Sequence, residues 1–141
     1  MTKSNRIVPH LIVQGGLEAI EFYKKAFGAV ESDRMMAEDG KRVLHAELAF
    51  NEGAVKLSDS FPEMGGYTAA PGPGATPVTV HLDFKKPKHV DQAIEQAVEA
   101  GAIVILLAQD TFWGARYGRV RDPFGHLWAL HAPLKKKQHK D

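Results

Sequence analysis

One order of elements runs through this chain twice, and that duplication constrains the fold more than any single motif. Ile7-Val8-Pro9-His10-Leu11-Ile12-Val13 is rich in β-branched residues and predicts a strand, its proline near the start where a missing donor is tolerated. Gln14-Gly15-Gly16 interrupts it. Leu17, Ile20, Phe22, Tyr23 and Phe27 then recur at helical spacing up to a stop at Gly28. Residues 30–36, 42–51 and 54–60 predict three more strands, turning at Asp39-Gly40 and at Glu52-Gly53. A Gly/Pro-rich stretch follows, with Gly65-Gly66 and Pro71-Gly72-Pro73-Gly74. The order then starts again: a strand over 78–84, and a helix over 90–100 with Val90, Ala93, Ile94, Ala97 and Val98 on its apolar face and Gly101 as its stop. Strands over 103–107, 118–121 and 126–131 complete it, the last two meeting across Asp122-Pro123-Phe124-Gly125.

The spacing supports a true repeat. His10 and Gly53 stand 43 positions apart, His81 and Gly125 stand 44 apart, and each His lies in the first strand of its half. A unit of about 50 residues present only twice reads as a duplicated domain rather than a solenoid. The expected organisation is a single domain over 1–141, with repeats 6–60 and 77–132, a linker 61–76 and a basic tail 133–141.

Composition removes several classes of function. With Lys+Arg 18 against Asp+Glu 17, the net charge is +1, and no basic stripe marks a nucleic-acid binder. The tail Lys135-Lys136-Lys137 reads as a solvated terminus. The absence of cysteine excludes thiolate chemistry, disulfides and Cys-type zinc sites. No stretch approaches the ~20 apolar residues of a membrane span, and the first residues lead into a strand with no apolar leader. A cytoplasmic protein with no nucleic-acid or membrane partner is expected.

Four segments carry a family resemblance: Ala19-Ile20-Glu21-Phe22-Tyr23-Lys24-Lys25-Ala26-Phe27-Gly28-Ala29, His45-Ala46-Glu47-Leu48, Leu57-Ser58-Asp59, and the run from Phe112 to Trp128. Over residues 7–132 the chain resembles the vicinal-oxygen-chelate superfamily of glyoxalases, extradiol dioxygenases and bleomycin-resistance proteins, and within it the PhnB-like branch. The resemblance implies an α+β fold of two βαβββ repeats, forming curved mixed sheets with helices on the convex side and a ligand in the concave one. It also implies a homodimer. Metal-using members draw His from the first strand and Glu from the last strand of each half. His10 and His81 match the His positions. Lys56 and Ala129 stand where the carboxylates belong, and neither offers a metal a donor. No metal is therefore assigned and no cofactor is expected. The alternative is a divalent ion on His10 and His81, rescued by His131, Glu47 or Asp59.

Strand alternation places Val43, His45, Glu47 and Ala49 towards the cavity, and Leu44, Ala46, Leu48 and Phe50 towards the helices. Across a turn at Glu52-Gly53, Lys56 falls diagonal to Glu47, within reach of an ion pair. Glu47 and His45 are the candidate acid–base pair. His10, Lys56, His81, Trp113, Arg116 and Tyr117 are the candidate ligand-binding residues, Trp113, Arg116 and Tyr117 suiting a planar or anionic ligand. Arg116 has a second reading, as the partner of a surface acid. The glycines Gly114 and Gly118 suit a bulge or a close backbone approach, and Asp122-Pro123-Phe124-Gly125 reads as a structural turn. The expected function is the binding of a small anionic molecule, metal-free or with a degenerate metal site. The alternatives are a metal-dependent lyase, isomerase or dioxygenase, and an antibiotic-sequestering protein. The last fits least, because a cationic drug calls for an acidic groove. The stretch from 61 to 77 reads as a tether or a lid.

Overall fold

The computed structural model of the protein describes residues 6–64 and 78–134. Most of the linker, with its tether or lid reading, and the lysines of the tail lie outside the described residues. The elements run β1 (His10–Val13), α1 (Gly16–Phe27), β2 (Val30–Met36), β3 (Val43–Phe50) and β4 (Gly53–Asp59), then a 3-10 turn at Pro62–Met64. The second set is β5 (Thr79–Asp83), α2 (Pro87–Ala100), β6 (Ile103–Asp110), β7 (Ala115–Arg121) and β8 (Leu127–Pro133). They form two four-stranded mixed sheets, ordered β1-β4-β3-β2 and β5-β8-β7-β6, with the first pair of each parallel and the rest antiparallel. The two βαβββ repeats expected from the sequence are thus present. The chain divides into two compact units, one carrying each sheet. Among the described residues no helix is long and apolar enough to cross a membrane.

Apolar spacing explains both helices. Helix α1 fully buries Ala19, Ile20, Tyr23 and Ala26 and ends at Gly28, whose φ of 71° is the left-handed geometry a glycine accepts freely. Helix α2 starts with Pro87 at a position where the missing amide costs nothing, and packs Val90, Ala93, Ile94 and Ala97 towards β6, β7 and β8. Val98, assigned to that face from the sequence, is 44% exposed.

Two buried carboxylates hold the ends of elements together. Asp59 closes β4 and accepts the amides of Gly15, Gly16 and Val43 at 2.7–2.9 Å. It supplies the N-terminal cap that α1 lacks from its own sequence. Asp122 accepts the amides of Phe124 and His126 and the indole N–H of the fully buried Trp128, the last at 2.8 Å. The Asp122 turn is therefore anchored to the core of its own half.

Several strand features differ from the sequence reading. The β3–β4 turn centres on Asn51-Glu52, with Asn51 at a φ of 24°, so that Ala49 faces Ala54 and Glu47 faces Lys56. The expected turn at Glu52-Gly53 was one residue late. An irregularity in the β2–β3 register between Met35 and Met36 turns Val43 inward, fully buried, rather than beside His45. The β6–β7 hairpin is longer than expected. Thr111 closes it against Ala115 through both backbone and hydroxyl, so residues 108–110 and 115–117 pair as strand.

Candidate functional site

Parallel pairing of β1 with β4 sets His10 opposite Lys56, and antiparallel pairing of β3 with β4 sets Glu47 opposite the same lysine. Residues in register share a face, so His10, Lys56 and Glu47 form one row across three strands. Val55 and Leu57 turn to the other face and are buried. His10 Nε2 lies 3.0 Å from Ser58 Oγ. Partial burial of the ring, then the neighbouring His45 and Lys56, lower the His10 pKa from its ordinary value. The imidazole is therefore neutral at pH 7.

The expected Glu47–Lys56 pair is replaced by another. Glu47 Oε2 takes Arg6 Nη2 at 3.3 Å, while the Lys56 ammonium makes no ion pair or side-chain hydrogen bond among the described residues. His45 Nδ1 lies 3.4 Å from Asp33 Oδ2 on the adjacent strand. Glu47 and His45 thus share a strand but are held by different partners. Asp59, a possible rescue ligand on the sequence alone, is buried with its oxygens taken by three amides and is not on this row.

In the second sheet His81 stands opposite Ala129, as His10 stands opposite Lys56. Two residues along, Asp83 stands opposite His131. Asp83 Oδ1 lies 3.0 Å from His81 Nε2 and 2.9 Å from His131 Nδ1, and the two imidazoles are 5.3 Å apart between centroids. Tyr117 and Arg119 of β7 extend the same two rows, opposite His131 and Ala129, and Arg119 donates to Thr79 Oγ1. Trp113 is 58% exposed and meets Phe112 and Tyr117 edge-on.

Arg116 lies apart from these groups. It points from the face of β7 that carries buried Val120, and its guanidinium is held by Asp91 of α2 at 3.0 Å and Asp110 of β6 at 3.1 Å. That is the second of its two sequence readings. Gly118 shares the helix-bearing face, and a Cβ there would stand 2.6 Å from Ile94 Cδ1, so the close approach expected of it is real.

The carboxylate positions implied by the resemblance are thus occupied, in register, by a cation and by a methyl group. The residues present do not fit the family's four-ligand metal site. Sequence reasoning missed Asp83, although its alternation with His81 in His81-Leu82-Asp83 was readable. It also missed Arg6 and Arg119, whose roles depend on partners from other strands.

Comparison with known proteins gives the family and the fold. The profile described as Glyoxalase/Bleomycin resistance protein/Dioxygenase superfamily matches residues 5–130. An uncharacterized protein of Mycobacterium tuberculosis, Rv0887c, is 46% identical over 129 residues, covering 90% of this chain and 74% of the relative. The crystal structure of TioX from Micromonospora sp. ML1 superposes with a TM-score of 0.71 at 27% identity, covering 93% of this chain and all of that one. The PhnB protein of Bacillus cereus shares the fold, with a TM-score of 0.70 at 16% identity over 93% of this chain and 100% of that one.

Proposed function

Because the chain belongs to the glyoxalase/bleomycin resistance protein/dioxygenase superfamily, we propose that it is a PhnB-like member that binds a small anionic molecule on the open face of its first sheet, with the family's four-ligand metal site lost. The observation that carries this reading is Lys56. Its ammonium stands opposite His10, where a metal-using relative has a carboxylate, and has no ion-pair partner among the described residues. A cation outside any ion pair among the described residues, beside a neutral imidazole, is suited to a carboxylate, phosphate or phosphonate. Under this reading Lys56 supplies charge and His10 a directional hydrogen bond. His81, Tyr117 and Trp113 are the ligand-contact residues proposed for the second sheet, taken by itself. Where turnover occurs, Glu47 and His45 are the proposed acid–base residues. The protein acts in the cytoplasm as a homodimer.

The test is a thermal-shift screen of small carboxylates, phosphates and phosphonates against wild type and Lys56→Ala. The expected outcome is stabilisation of wild type by one anionic class, with the shift lost in the variant. Stabilisation that survives Lys56→Ala, or no anion that stabilises wild type at all, would overturn the reading.

A further inference from the structure

We propose that His81, Asp83 and His131 bind a divalent transition-metal ion, at a site that keeps one of the family's ligand positions, His81, takes its other two donors from outside that set, and is contained in the second sheet alone. Each of the three residues offers one donor atom, all within 4.8 Å of one another, and Asp83 Oδ1 meets both His81 Nε2 and His131 Nδ1. His81 and Asp83 are alternate residues of β5 and so project from one face, and His131 arrives from β8 in register with Asp83. The Phe84 amide donates to the His131 carbonyl at 2.7 Å, which ties the β8 backbone to the residue after Asp83. The site therefore sits on paired strands rather than on a loop.

The chemistry of the donor set is specific. Metal–ligand bonds of about 2.0–2.1 Å in a tetrahedral site place donors roughly 3.3 Å apart. The present separations of 3.0 and 2.9 Å to Asp83 need only a small opening. Two imidazoles and a carboxylate suit Zn, Ni, Co, Cu or Fe(II), and disfavour Mg and Ca, which select oxygen. Three protein ligands leave a position for water or for a ligand atom. The side chains of His81, Asp83 and His131 are 48%, 74% and 28% exposed, so such a position is accessible. Arg119, the cation in the neighbouring row, donates to Thr79 rather than to Asp83.

This site shares His81 with the anion reading but does not use His10 or Lys56, so variants at Lys56 on one side and at Asp83 and His131 on the other test the two separately. The experiment is titration of the untagged full chain, stripped with chelator, with Zn(II) by calorimetry and with Co(II) by visible absorbance. The expected result is one ion per chain, lost in His131→Ala and in Asp83→Asn and kept in His10→Ala. Because Asp83 is exposed, metal-free Asp83→Asn should unfold at the wild-type temperature, so the loss reports on the metal. Absence of saturable binding to wild type overturns the proposal. Binding that survives both His131→Ala and Asp83→Asn, or is lost in His10→Ala, overturns it as well. A failed titration leaves the Lys56 thermal-shift result standing, and the reverse also holds.

Discussion

The carboxylate of Asp59 accepts the amide of Gly16 at 2.9 Å, and a Cβ on that glycine would stand 2.5 Å from the other carboxylate oxygen. The absence of a side chain at Gly16 and the burial of Asp59 are thus one feature. Removing the carboxylate strands three amides, two of them buried, so Asp59→Ala should cost about 2–4 kcal/mol in urea unfolding. Gly16→Ala, which drives a methyl into Asp59 and Val43, should cost about 1–3 kcal/mol. Near-neutral values for both would remove the capping role.

Gly118 meets a similar constraint in the other half. Its Cβ would lie 2.6 Å from Ile94 Cδ1 and 3.2 Å from the Ala108 backbone. The isoleucine can turn aside, but the backbone cannot, so Gly118→Val should destabilise by about 1–3 kcal/mol and more than Gly118→Ala. Chemical denaturation of the two variants gives the order, and the reverse order would contradict this packing.

Protonation of His10 gives a pH dependence of known sign. Its folded pKa is lowered by burial, by His45 and by Lys56, while the unfolded chain takes up the proton near the ordinary value of about 6.5. The stabilising contribution is complete above about pH 6.5 and is lost as the pH falls through that value towards the folded pKa. Melting temperatures taken from about pH 7.5 to about pH 5 should fall less in His10→Asn than in wild type. In Lys56→Ala the His10 ring resonances should titrate at higher pH. Equal melting slopes for wild type and His10→Asn would argue against a depressed value.

Arg116 should prove dispensable for ligand binding. Its guanidinium serves Asp91 and Asp110 on the helix-bearing face. Arg116→Ala should leave the thermal shift produced by any stabilising anion unchanged, in contrast to Lys56→Ala. Loss of the shift in Arg116→Ala would place the ligand elsewhere.

The duplicated order of elements was readable because β-branched runs, helical spacing and glycine stops all agreed at Gly28 and Gly101. Faces were readable wherever strands alternate regularly, which is why His10 and Lys56 could be put on one side of the first sheet. What failed was register. Asn51 in a left-handed conformation moved the β3–β4 turn by one residue and brought Glu47 directly opposite Lys56. The irregularity beside Met35 sent Val43 into the core. The meeting of Asp83 with His131 depends on parallel pairing between strands separated by a helix and two other strands. Nothing local to either residue encodes it.

The distant cap on α1 also has a consequence in time. A helix of 12 residues is marginal alone, and this one opens on two glycines with no side chain of its own to hold its first amides. Its cap is 43 residues further along the chain. During synthesis the N-terminal segment therefore leaves the ribosome without the group that fixes where its helix begins. That helix settles only when β4 has emerged and docked beside β1, so the first half folds as a unit or not at all.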